Sequence, residues 1–322
     1  MVFRIASALL ALSAGASFAD PLTGPYKDVS LGIDAAAPRI AEAPWLAPPR
    51  PGQVLVWAFA TGSCAQEQWG PGIDTAAFAR TNVAAHEAAG REYIISTGGA
   101  IGVFACDDDA AMARFVERYA GPRMRGIDFD IEGVQTPAQI ESLVRRARQV
   151  RERWPQLRLS FTIATLAASD GSRASLNATG EAVLAALRSV RLDDAVINLM
   201  VMNYGKPDPR RCVPHRGRCD MARSARQALA NVHLKYGLPY RRLALTVMLG
   251  ENDVEANVLS PADAAAVARH ARRLGLAGLH WWSLDRDRPC PAGEPRLSPH
   301  CHALPNVEAG HFGRELGAAA RR

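Results

Sequence analysis

Residues 125–133 read RGIDFDIEG, in which Asp128, Asp130 and Glu132 alternate with the strand formers Ile127, Phe129 and Ile131. Successive side chains of a strand point to opposite sides, so the acids share one face at roughly 6 to 7 Å spacing and the apolar residues share the other. Carboxylates held that close and withdrawn from water disfavour one another's ionisation, and desolvation adds to the effect. The row therefore spreads the pKa values and leaves at least one acid protonated near neutrality, the state that general acid catalysis requires. Two other readings compete. A short charged alternation also suits a wet sheet face. The spacing imitates the start of a calcium loop, but the position that should supply a bidentate carboxylate is Gln139, and β-branched and aromatic residues separate the acids.

Such a strand needs neighbours, and apolar runs that could supply them recur at 28–33, 54–59, 93–96, 126–131, 157–163, 195–202, 243–249 and 277–282. Helical patterns fill most of the intervals. Ile140, Leu143, Val144, Ala147 and Val150 follow helical spacing behind Thr136, Pro137 and Gln139, an N-cap, first-turn proline and capping box. Ser260, Pro261 and Asp263 repeat the device, and Asp107 or Asp108 can cap a helix whose Met112, Phe115, Val116 and Tyr119 face inward. Eight strands alternating with helices, without a low-complexity linker, predict an α/β chain forming a single (β/α)8 TIM barrel, with a doubly wound open sheet as the alternative. Barrel enzymes keep their active residues at strand C-terminal ends. Glu132 is then expected at the mouth, with Asp130 and Asp128 at successive depths below it.

Residues 1–19, with Arg4, an apolar stretch from Ile5 to Leu12 and small residues Ser17 and Ala19, have the form of a secretory signal peptide, leaving 20–322 as the barrel domain. The apolar stretch falls short of the roughly 20 residues of a membrane span, so no span is expected and the protein is expected outside the cell or in the periplasm. Six cysteines suit an oxidising compartment. Their placement around short loops and strand ends predicts the pairs Cys64 with Cys106, Cys212 with Cys219, and Cys290 with Cys301. No CxxC pair or zinc spacing occurs, so neither a metal nor a cofactor is expected. The formal charge is +6, and only three basic residues are lysines. Scattered arginines, with a local cluster from Arg210 to Arg218, fit a solvated surface, and no aromatic-basic motif points to nucleic acid. A monomer is expected.

With the acids on a fourth strand, the chain resembles the family 18 glycoside hydrolases, the chitinases and their relatives, and especially the compact bacterial chitinase-like group. Gly126, Asp128, Asp130 and Glu132 fit the family's DGxDxDxE signature; Ser96, Gly98 and Gly99 fit the SxGG motif of the third strand; Met202 and Tyr204 fit the sixth-strand motif; Trp282 fits the tryptophan ending the eighth. The resemblance implies cleavage of chitin or chito-oligosaccharides by a retaining, substrate-assisted mechanism. In it Glu132 is the acid and base, Asp130 orients the substrate's acetamido group, Asp128 tunes Asp130, and Tyr204 donates to the acetamido group. It also implies that Trp282 stacks on a sugar, that Met202, Asn203, Phe59, Ser96, Gly98 and Gly99 line or shape the pocket, and that the 58–59 and 282–283 peptides are cis.

Two positions depart from the family pattern. Arg125 replaces the first Asp of the signature, at the strand entrance and far from the expected chemistry. Asn203 stands between Met202 and Tyr204, where related bacterial chitinases often carry Asp, and it can hydrogen-bond a sugar but cannot carry charge. Asn252 and Asp253, after the seventh run, are candidate sugar contacts or plain loop residues. Trp282 and Tyr204 are each also compatible with simple core packing. Other functions open on these residues are a non-catalytic glycan-binding barrel, or an endo-N-acetylglucosaminidase acting on peptidoglycan or the N-glycan core.

Overall fold

The computed structural model describes residues 20–31, 46 and 48–318. The expected signal peptide, 1–19, lies outside them. Eight parallel strands form the centre: β1 (Leu22–Asp28), β2 (Val54–Ser63), β3 (Glu92–Gly98), β4 (Met124–Ile131), β5 (Arg158–Ala164), β6 (Val196–Met200), β7 (Leu243–Met248) and β8 (Gly278–Trp282). Each pairs with the next in chain order, and β1 pairs with both β2 and β8, so the sheet closes on itself. Closure excludes the open doubly wound sheet. The chain folds as a (β/α)8 barrel.

The first strand is not where the apolar run at 28–33 placed it. Val29–Leu31 is a short 3-10 turn, residues 32 and 33 lie outside the described residues, and β1 is the preceding segment LTGPYKD. Gly24 and Pro25 look like breakers in isolation. Gly24 is needed there because a Cβ would sit 1.7 Å from the Val54 carbonyl oxygen of the adjoining strand.

Helices surround the sheet: α1 (Thr75–Phe78) runs through a π turn into α2 (Ala84–Ala88), and α3 (Asp109–Tyr119), α4 (Pro137–Arg153), α5 (Ala178–Ser189), α6 (Met221–Tyr236), α7 (Pro261–Leu274) and α8 (His311–Gly317) follow. Thr136 and Ser260 form the expected capping boxes, and Asp108 is the cap of α3, accepting from the Ala111 amide at 2.6 Å. On β4, Ile127, Phe129 and Ile131 are buried between barrel and helices, and Phe129 stacks on Phe161 of β5 with centroids 5.1 Å apart. Burying each such side chain contributes about 1.5–3 kcal/mol. That outward packing fixes the register that turns the three acids inward.

The disulfides are Cys64–Cys106, Cys212–Cys219 and Cys290–Cys301, the pairs that the cysteine placement predicts. The first ties the loop after β2 to the loop after β3 at the C-terminal ends of the strands. Among the described residues no helix is long and apolar enough to cross a membrane.

Candidate active site

Asp128 lies in the barrel interior at 2% exposure, and four hydroxyls from three strands converge on it. Tyr26 of β1 and Ser96 of β3 donate to one oxygen at 2.9 and 2.7 Å, and Ser160 and Thr162 of β5 donate to the other at 2.6 and 2.8 Å. Asn198 of β6 braces the set, donating to Thr162, Thr246 and Tyr26 at 2.7–3.1 Å. Burial raises the Asp128 pKa, while the four donors favour its ionised form and oppose that rise.

Asp130, one layer up and 3% exposed, has no such cage, and its Oδ1 lacks a hydrogen-bond partner within the protein. Burial, with Glu132 above and Asp128 below, pushes its pKa well above the usual carboxylate range. The two neighbouring aspartates thus differ in environment: one is saturated with donors and the other waits for one. Glu132, the residue after β4, has its pKa pushed up to about 7, chiefly by burial and then by the Asp253 carboxylate. It can be protonated at neutral pH and can also give its proton up there.

Glu132, Asp130, Tyr204, Met202, Asn203, Phe59 and Trp282 all border one cavity of about 470 Å3 at the C-terminal ends of the strands. Half-buried Trp282 forms part of its floor, stacked on Phe59 at 5.4 Å and 14° and backed by Tyr26 at 6.1 Å. The Ala58–Phe59 and Trp282–Ser283 peptides that set these rings are cis. Tyr204 is buried, with its amide held by the Asn257 side chain at 2.6 Å and its hydroxyl without a protein partner. Burial lifts the phenol pKa, so the group remains a hydrogen-bond donor. A second cleft of about 810 Å3 adjoins the cavity and shares Phe59, Ala100 and Trp282 with it.

Several expected pocket residues act from outside the cavity. Ser96 is fully buried beneath it and serves Asp128. Gly98 borders the adjoining cleft, and a Cβ there would lie 2.1 Å from the Asp130 carbonyl oxygen. Gly99 backs Phe59, whose ring would be 2.6 Å from an added Cβ. Asn252 is not a sugar contact: it is fully buried, with its amide donating to the Met248 and Gly250 carbonyls. Asp253 does face the cavity. Asn203 holds it by two reciprocal bonds, Asn203 Nδ2 to Asp253 Oδ2 at 2.9 Å and the Asp253 amide to Asn203 Oδ1 at 3.0 Å. The departure at position 203 therefore places a carboxylate from the loop after β7 near Glu132. Arg125 pairs with Glu92, away from the cavity.

Tyr26, Thr162, Asn198, Thr246 and Arg211 belong to the site but carry no sequence signal of their own. Tyr26 was hidden by the misplaced first strand, and the others are ordinary strand or loop residues until the barrel closes. Among the described residues, no group of three His, Cys, Asp or Glu side chains is placed to hold a metal ion.

No family model matches the chain. It is 27% identical over 266 residues to a protein of Escherichia coli K12 described as a probable bifunctional chitinase/lysozyme, a match covering 76% of this chain and 28% of that protein. It is also 27% identical over 222 residues to endochitinase 11 of Metarhizium anisopliae, covering 62% of this chain and 41% of that one. The chain thus spans less than half the length of either relative. Among solved structures, the catalytic domain of the hyperthermophilic chitinase from Pyrococcus furiosus superposes with a TM-score of 0.72 at 22% identity, over 95% of this chain and 97% of that domain. The fold is that of a chitinase catalytic domain. The likeness of fold extends over nearly the whole barrel.

Proposed function

We propose that the protein is an exported, retaining glycoside hydrolase of the family 18 type that cleaves β-1,4 bonds of N-acetylglucosamine polymers or oligomers. The observation that carries this reading is the contrast along β4. A carboxyl group with a pKa near 7 overlooks an aromatic-floored cavity, directly above a buried carboxyl whose Oδ1 has no partner. An N-acetyl sugar supplies what is missing. Its amide N–H can donate to Asp130, its carbonyl oxygen can accept from Tyr204, and its apolar ring face can lie on Trp282.

In this mechanism Glu132 gives its proton to the glycosidic oxygen while the acetamido oxygen attacks the anomeric carbon, forming an oxazolinium ion and releasing the leaving sugar. Positive charge then grows on the acetamido nitrogen beside Asp130. Asp128, held by four hydroxyls, is the better acceptor of negative charge at rest, and a proton passed down to it from Asp130 leaves Asp130 ionised as it takes up its role. Glu132 finally takes a proton from the water that opens the ring, restoring the β configuration. The three disulfides support export, since such bonds persist in oxidising compartments.

The test is proton NMR of a chito-oligosaccharide digest. The β-anomer should appear first, and Glu132→Gln should lower kcat by about 100- to 10,000-fold. No product from the wild type, an equally active variant, or initial α-anomer refutes the reading. Oligosaccharide binding without turnover across acidic and neutral pH would instead favour a non-catalytic glycan-binding barrel.

A further inference from the structure

The loop after β6 differs in charge from the centre of the cavity that it borders. Residues 205–219 contain five basic side chains, Lys206, Arg210, Arg211, Arg216 and Arg218, against one acid, Asp208. Arg210 is taken up by Asp208, which accepts from its guanidinium at 2.7–3.2 Å. Arg211 is placed differently. It is the single cation among the described residues lining the cavity, and although Asp208 feels its charge, the Asp208 carboxylate is bonded to Arg210 instead. Its Nη1 lies beside Gly205, where an added Cβ would approach it to 3.2 Å, so the guanidinium sits next to the residue that follows Tyr204.

The backbone that carries Arg211 is tied down. Its amide donates to the Asp208 carbonyl at 2.8 Å, its carbonyl accepts from the Ala167 amide at 2.7 Å, and Cys212 beside it is both disulfide-bonded and fully buried. Ser169 of the loop after β5 donates to the Pro209 and Cys212 carbonyls as well. Nor does Arg211 serve the acids across the cavity. The charge that acts on Glu132 is that of Asp253, and those that act on Asp130 are Glu132 and Asp128.

A neutral chain of N-acetylglucosamine has only hydroxyls and amides to offer, which Asn, Thr and Tyr satisfy without a net charge. A guanidinium carried into the cavity wall by a fixed backbone matches a planar carboxylate, to which it can donate two parallel charge-assisted bonds. Resting on the hydrolase reading above, we infer that Arg211 is a substrate-selecting residue that binds a carboxylate on the sugar chain, so that the preferred substrate is an acidic N-acetylated glycan. The chemistry fits a β-1,4 chain in which N-acetylglucosamine alternates with its 3-O-lactyl ether. The raised pKa values of Asp130 and Glu132 reduce the negative charge such a chain meets at the cleavage point.

The experiment compares two tetrasaccharides of equal length, one of N-acetylglucosamine alone and one alternating with the lactyl ether, on wild type, Arg211→Ala and Arg211→Lys. Wild type should favour the acidic tetrasaccharide in kcat/KM. Arg211→Ala should shrink the acidic-to-neutral ratio by about ten- to a hundredfold, through KM on the acidic chain, and Arg211→Lys should retain part of it. A ratio unmoved by Arg211→Ala, or a wild type that cleaves the neutral chain with no preference for the acidic one, overturns this inference and leaves the hydrolase reading standing. A wild type that cleaves neither chain overturns the hydrolase reading. Calorimetric titration of Glu132→Gln, with and without Arg211→Ala, then judges the carboxylate site by itself: equal affinity of the two variants for the acidic chain overturns it.

Discussion

Asp253→Asn should move the basic limb of the pH–rate profile. The Glu132 pKa is lifted from 4.5 to about 7, with burial as the larger cause and the Asp253 carboxylate as the other. Asp253 therefore accounts for less than half of the lift, or about one pH unit, equivalent to about 1.4 kcal/mol. Asn is nearly isosteric and can still pair with Asn203, so the loop after β7 should keep its place. In the proposed mechanism Glu132 must be protonated to work, and removal of a like charge makes it ionise more easily, so the limb should fall from near pH 7 to near pH 6. At pH 5, where both forms are mostly protonated, kcat should change by less than about twofold. At pH 7 the protonated fraction falls from about one half to about one tenth, and kcat should drop about fivefold. Because Asp253 is exposed, the difference between the two proteins should narrow in high salt. The assay is kcat against pH on a soluble oligosaccharide at two ionic strengths. A limb that stays in place, or one that moves upward, refutes the argument that Asp253 acts on Glu132 through its charge.

Two further outcomes follow from the same electrostatics. Glu132→Gln should stabilise the fold by about 1–3 kcal/mol at pH 8.5 and hardly at all at pH 4, because an acid whose folded pKa is raised costs nothing while it is protonated in both states and destabilises progressively as pH climbs from 4.5 through 7. Thermal melts at the two pH values check this, and equal gains at both would contradict it. Tyr26→Phe removes one of the four donors around buried Asp128 and should cost about 1.5–3 kcal/mol in denaturant unfolding. A change below about 0.5 kcal/mol would show that the remaining three hydroxyls suffice.

Legibility in the sequence follows the range of the interaction. The acid row could be read from nine residues because strand alternation is a local rule, and the capping boxes at Thr136 and Ser260 are equally local. The apolar run at 28–33 points past the true first strand because the reasons for that strand's composition lie on its neighbour. Gly24 is required by the Val54 carbonyl of β2, a contact that exists only after the barrel closes, and with that strand went Tyr26. The hydroxyl cage shows the same limit more sharply. Ser160 and Thr162 are unremarkable singly, and Ser96 stands out only as part of a motif; their service to Asp128 appears because strand register sets Ser96 and Ser160 opposite it on its two sides.

Asn203 shows what such convergence does to an apparent loss. By its own position it looked like a missing charge beside Tyr204. In the folded protein its amide and carbonyl grip Asp253 from another loop, so a carboxylate is returned to the mouth of the cavity by a residue 50 positions away in the chain. A substitution within a motif therefore cannot be judged by charge alone, and position 203 is better tested with its partner. In a cycle of Asn203→Ala, Asp253→Asn and the double variant, loss of the grip should let Asp253 drift into solvent. The pH limb of Asn203→Ala should then fall toward that of Asp253→Asn, and the double variant should fall no further. Additive shifts would mean that the two residues act on Glu132 separately.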